Sequence, residues 1–63
     1  MSKKLKWTDC EEMAMTILDG WKVKDQRLTR RLADIILKEG KAPNIRIFWN
    51  KKTEDLDFEV LRG

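Results

Sequence analysis

Apolar and polar positions alternate with two different periods along this chain, and the change of period divides it. In Lys3-Lys4-Leu5-Lys6-Trp7 the alternation is twofold, so Leu5 and Trp7 share one face of a short strand. Its lysines suit a sheet edge, where they discourage pairing with other chains. From Thr8 the period lengthens. Cys10, Met13, Ala14, Ile17, Leu18 and Trp21 recur at helical spacing, while Met15 falls off the stripe. Thr8 and Glu11 have the S/T-x-x-E spacing of a capping box, and Asp9, Glu11 and Glu12 crowd the first turn, where the helix dipole favours carboxylates. Asp19-Gly20 predicts the stop. A second helix follows residues 20–24, with Asp25 as its N-cap and Leu28, Leu32, Ile35 and Ile36 as its apolar stripe. Ala33 and Leu37 flank that stripe, Gly40 closes the helix and Pro43 follows.

The last third returns to a period of two. Ile45, Ile47 and Trp49 share one face, as do Leu56, Phe58 and Val60, with the polar stretch Asn50 to Asp55 between them. Two alternating runs around a polar loop predict a β-hairpin, in which Arg46 can pair with Asp57 or Glu59 across the strands. The expected order is therefore β-α-α-β-β. It makes one small α+β domain over residues 1–63, with residues 1–4 free to be disordered and two helices packed on a short antiparallel sheet. Strand, helix, helix and hairpin in this order resemble the core of winged-helix domains, without their usual first helix.

Composition narrows the chemistry. At 63 residues the chain is below the roughly 70–80 at which one core supplies more than about 3–5 kcal/mol. Its single cysteine, Cys10, excludes an internal disulfide framework and argues against a zinc site built from one chain. The three tryptophans, Trp7, Trp21 and Trp49, are the expected core filling, since each can bury on the order of 150–250 Å². An exposed one would instead mark a partner surface. There is no histidine or tyrosine, and the only serine is Ser2, so catalysis is not expected. Cys10 lies in the first turn of a helix, but it also fits the apolar stripe and reads as a buried, inert thiol. No glycine-rich phosphate loop is present, and no cofactor is implied. The longest apolar runs are triplets such as Ile35-Ile36-Leu37, far short of a membrane span, and the basic start has no apolar segment behind it. A cytoplasmic protein without membrane association is expected.

Charge changes the picture most. The formal net charge is +3, with a pI near 9.2. Residues 22–31 alone hold Lys22, Lys24, Arg27, Arg30 and Arg31 against Asp25, so this segment exceeds the charge of the whole chain. Cations near a helix start oppose the dipole, so local stability does not choose them. Arg27, Arg30 and Arg31 are predicted on the face opposite Leu28, Leu32 and Ile35. A helix, a turn and a second helix opening on Gln26, Arg27, Thr29 and Arg30 carry the chemistry of a recognition helix: arginine for guanine, glutamine for adenine. Lys51 and Lys52 in the hairpin loop would meet phosphate as a wing. The expected partner is nucleic acid, duplex DNA first, read by a homodimer if the site is specific. The plainer reading is a solvated helix face, since Arg30–Asp34 and Asp34–Lys38 are i,i+4 pairs. A second functional class is a small accessory or phage-type regulator that docks on a protein partner through the helix pair or the hairpin edge.

One further similarity concerns the opening. Leu5-Lys6-Trp7-Thr8-Asp9, with Glu12, Leu18 and Asp19, is similar to the start of a small bacterial accessory protein of iron–sulfur cluster assembly. The remainder departs from that family, which is acidic and helical where this chain is basic and then alternating. Its function is not carried over.

Overall fold

A computed structural model describes residues 5–62. They form helix α1 (Trp7–Gly20), helix α2 (Gln26–Glu39), strand β1 (Asn44–Asn50) and strand β2 (Asp55–Leu61), in the order α-α-β-β. The chain is thus a small α+β domain of two helices and a two-stranded antiparallel hairpin. The predicted first strand is corrected. Lys3 and Lys4 lie outside the described residues, Leu5 and Lys6 are not in a strand, and Trp7 is already helical.

The start of α1 explains that correction. Lys6 is the N-cap, in extended conformation and without a side-chain cap bond, and its carbonyl accepts the Cys10 N–H at 3.0 Å. Leu5 immediately before the cap and Cys10 one turn into the helix both pack into the core. That spacing is the hydrophobic staple, which sets how the chain enters a helix. It starts the helix ahead of Thr8, so the expected Thr8–Glu11 capping box does not form the cap.

The end of α1 also differs from expectation. The helix runs through Gly20, and Trp21 is its C-cap. The left-handed residue is Lys22, at φ 58°, not glycine. The Lys22 N–H reaches the Asp19 carbonyl at 2.9 Å and the Val23 N–H reaches Leu18 at 3.0 Å. This pair of bonds is a Schellman motif, and its usual apolar contact is supplied by Val23 and Leu18, both in the core. The second helix follows its prediction closely. Asp25 caps it by accepting from the Arg27 and Leu28 N–H groups at 2.9 and 3.4 Å. Gly40 closes it at φ 74°, donating to Ile36 at 2.8 Å.

Cys10, Ala14 and Leu18 of α1 meet Leu28, Leu32, Ala33 and Ile36 of α2 in the core, with Val23 from the turn. Ala42, just past α2, shares a groove with Asp9, Glu12 and Met13 near the start of α1. The end of α2 therefore lies beside the beginning of α1, as in an antiparallel helix pair. The hairpin closes the other side of the core with Ile45 and Phe58. Its register pairs Ile45 with Val60, Ile47 with Phe58 and Trp49 with Leu56 on the inward row. Arg46 faces Glu59 on the outward row, and they form an ion pair at 2.6 Å. No backbone hydrogen bond joins the hairpin to the helices among the described residues. Apart from the connecting residues 40–43, the described contacts between the two halves are made by side chains.

The tryptophans do not fill this core. Trp7, Trp21 and Trp49 are 39%, 48% and 58% exposed. Each stands at the end of an inward-facing row, beyond the region that the opposite layer covers. Leu18 precedes Trp21 and is buried; Ile47 precedes Trp49 and is half-buried. The middle of each row packs, and its end does not.

Candidate functional site

The site expected from sequence is the turn between the helices, the start of α2 and the hairpin loop. Lys22 holds the left-handed turn position, and Lys24 follows it, exposed. Gln26 opens α2, and Arg27 and Arg30 are exposed on its outer side. The Thr29 hydroxyl donates to the Asp25 carbonyl at 2.9 Å, so its proton is held by the local turn. Lys51 and Lys52 are exposed in the loop, whose shape is supported by the Lys52 N–H donating to Asn50 Oδ1 at 2.9 Å.

Arg31 is placed differently from its neighbours. Its guanidinium crosses the Phe58 ring, with Cζ 5.0 Å from the ring centroid, and donates to Asp57 Oδ1 at 2.8 Å. The planar cation over an aromatic face and the charge-assisted bond reinforce one another. Asp57 also accepts from Asn50 Nδ2 at 3.2 Å and from the Phe58 N–H at 2.7 Å. These contacts hold its carboxyl below the usual carboxylate range. The Phe58 backbone N–H is the main cause, opposed by partial burial and aided by Asn50 and Arg31. Arg31 is thus a structural tether to the hairpin, not one of three cations on a free face as its spacing suggested. Alternation alone offered Asp57 or Glu59 as the cross-strand partner of Arg46; Glu59 takes that place, and the role of Asp57 toward α2 was not legible. The only signal for it was an acidic residue flanking the inward Phe58.

The tethers orient the hairpin. Its open end is held near the end of α2 by Arg62 and Glu39, 3.3 Å apart. Asp57, closer to the loop, is held by Arg31, closer to the start of α2. The strands therefore run back along α2, and the loop reaches toward the helix start. Lys51 and Lys52 lie toward the same end of the molecule as Lys22, Lys24, Arg27 and Arg30. None of these six has an ion-pair partner among the described residues; Arg31, Lys38, Arg46 and Arg62 are paired, and Lys6 and Lys41, at the other end of the helix pair, are also outside any ion pair. The expected Asp34–Lys38 pair is present at 3.2 Å, and Arg30 is left outside it. The basic end also carries Trp21 and Trp49.

Between the helices, an open cleft of about 520 Å³ is lined by Met15, Thr16, Asp19, Val23, Lys24 and Gln26, among others. Met15 is exposed on its rim, as its place off the stripe predicts. Among the described residues no group of three or more histidine, cysteine, aspartate or glutamate side chains is arranged to hold a metal, and no helix is long and apolar enough to cross a membrane. No protein family, curated protein or solved structure matches the chain.

Proposed function

We propose that this protein binds nucleic acid, without catalysis, through its basic end. The observation that carries the reading is the collection of Lys22, Lys24, Arg27, Arg30, Lys51 and Lys52 toward one end, none with an acidic partner among the described residues. Clustered surface cations outside any ion pair are the electrostatic footprint of a polyanion site, here with Asp19, Asp25, Glu54 and Asp55 in the same segments. The antiparallel helix pair departs from the crossed helices of a winged-helix reader, so in this reading α2 presents Gln26, Arg27 and Arg30 along its exposed side while the loop lysines meet phosphate. Thr29 and Arg31 then support the helix and hairpin rather than reading bases. A homodimer would supply the extra contacts that a defined duplex site needs. Within this reading the protein acts in the cytoplasm.

The test is the salt dependence of binding to a labelled mixed-sequence oligonucleotide. Six phosphate contacts give a log–log slope of about −5 on duplex. The double variant Arg27→Glu, Arg30→Glu should abolish binding while leaving the fold intact, since both side chains are exposed. Flat affinity between low and physiological salt, or an unchanged affinity in the double variant, sinks the proposal.

A protein-docking role is the second reading, favoured by the open cleft with Met15 on its rim. It predicts a protein partner whose recovery survives nuclease treatment and is lost in Met15→Glu.

A further inference from the structure

Two of the three exposed indoles lie at the end that holds six of the eight described cations outside any ion pair, and that coincidence bears on which nucleic acid the site suits. Trp21 caps α1 and is followed at once by Lys22 and then Lys24. Trp49 is the last inward residue of β1 and precedes Lys51 and Lys52 in the loop. Both continue a core row past its last packed member, and they are 48% and 58% exposed. Trp7 stands at the opposite end of α1, away from this basic group.

A tryptophan half in water is an unfavourable way to finish a helix or a strand, because each keeps a large apolar face hydrated. Duplex DNA offers these rings no complementary surface: its bases are stacked on one another, and its outside is sugar and phosphate. An unpaired strand offers both halves of what the site presents. Its phosphates suit the lysines and arginines, and its bases have open faces that stack on indoles. Trp21 and Trp49 are carried on a helix end and a strand end, so the backbone that bears each ring is placed by hydrogen bonding before binding.

Resting on the nucleic-acid reading above, we infer that the ligand is single-stranded nucleic acid, with Trp21 and Trp49 as stacking platforms and Lys22, Lys24, Lys51 and Lys52 tracking the adjacent phosphates. The same arrangement makes recognition tolerant of sequence, because every base has a face to stack.

The experiment titrates the full chain with a fluorescein-labelled twelve-nucleotide thymidine homopolymer and with a blunt duplex of the same length, at matched salt. The single strand should bind at least about tenfold tighter, and titration should quench intrinsic tryptophan emission. Trp21→Leu and Trp49→Leu keep an apolar side chain but remove the flat face. Each should weaken single-strand binding by about tenfold while leaving the salt slope unchanged. In the double variant only Trp7 emits, and that emission should not be quenched. If the duplex binds as tightly as the strand, or if the leucine variants bind the strand normally, the stacking inference is overturned while the nucleic-acid reading stands. If neither oligonucleotide binds, the reading beneath it fails as well.

Discussion

Asp57→Ala tests the account of how the hairpin is held. The substitution removes the acceptor for Arg31 at 2.8 Å, for Asn50 at 3.2 Å and for the Phe58 N–H at 2.7 Å. A shielded charge-assisted bond contributes about 1.5–3 kcal/mol. The Arg31 side chain is 57% exposed, so solvent screening holds the ion pair to about 0.5–1 kcal/mol. The two other bonds add about 0.5 kcal/mol each, which brings the loss to about 1.5–2 kcal/mol. For a domain this small that is a large share of total stability, and it lowers the thermal midpoint by roughly 6–16 °C. Urea unfolding followed by far-ultraviolet circular dichroism measures it directly. Pairing Asp57→Ala with Arg31→Met, which keeps the aliphatic stem over Phe58, isolates a coupling of about 0.5–1 kcal/mol. The effect also has a defined pH dependence. The folded-state value of Asp57 lies below the ordinary 3.8, so the unfolded chain takes up this proton first as pH falls. The stabilisation is complete well above 3.8 and is lost as pH drops through the depressed value. A difference between wild type and variant below about 0.3 kcal/mol at neutral pH, or one that persists unchanged at pH 2, refutes the tether.

Other consequences can be checked in the same way. Lys22→Gly relieves a left-handed residue at φ 58° and should raise stability by about 0.5–1 kcal/mol in urea unfolding, while weakening nucleic-acid binding through the lost cation. Asp25→Ala leaves the Arg27 and Leu28 N–H groups without their cap and should cost about 0.5–2 kcal/mol by the same measurement. Cys10 is fully buried, so its labelling by a thiol reagent in native buffer should be limited by opening of the fold and accelerate with added urea.

What could be read from the sequence were the features set by local geometry. Asp25 and Gly40 bound α2 because a carboxylate acceptor and a left-handed glycine each satisfy backbone groups within a few residues. The inward and outward rows of the hairpin follow from alternation, which left Arg46 to pair with Asp57 or Glu59; the register selects Glu59. Features that depend on a third element were not legible. The Thr8–Glu11 pattern was a valid cap in isolation, but Leu5 and Cys10 packing into the core moved the helix start ahead of it. Twofold alternation around Leu5 and Trp7 was too short to specify a strand when a helix could use the same residues. The tryptophans were assigned to the core from their size and their place on the stripes. A stripe tells which way a residue faces, not whether another layer extends far enough to cover it. Arg31 shows the same limit at the site, since it shares its spacing with Arg27 and Arg30 but lies within reach of a strand far away in sequence.

The lack of any backbone bond between the hairpin and the helices bears on how the molecule opens. The helix pair can keep its own ladder of amide bonds while the strands lift away, because the contacts to be released are side-chain ones: Ile45, Ile47, Phe58 and Val60 in the core, Arg31 over the Phe58 ring, and two ion pairs. A two-stranded hairpin is marginal by itself in water, so once lifted it loses its own pairing too. Amide hydrogens of β1 and β2 therefore exchange with solvent through this partial opening, while those in the middle of α1 and α2 wait for global unfolding. The protein behaves as two cooperative units of unequal strength, and the weaker one carries Trp49, Lys51 and Lys52.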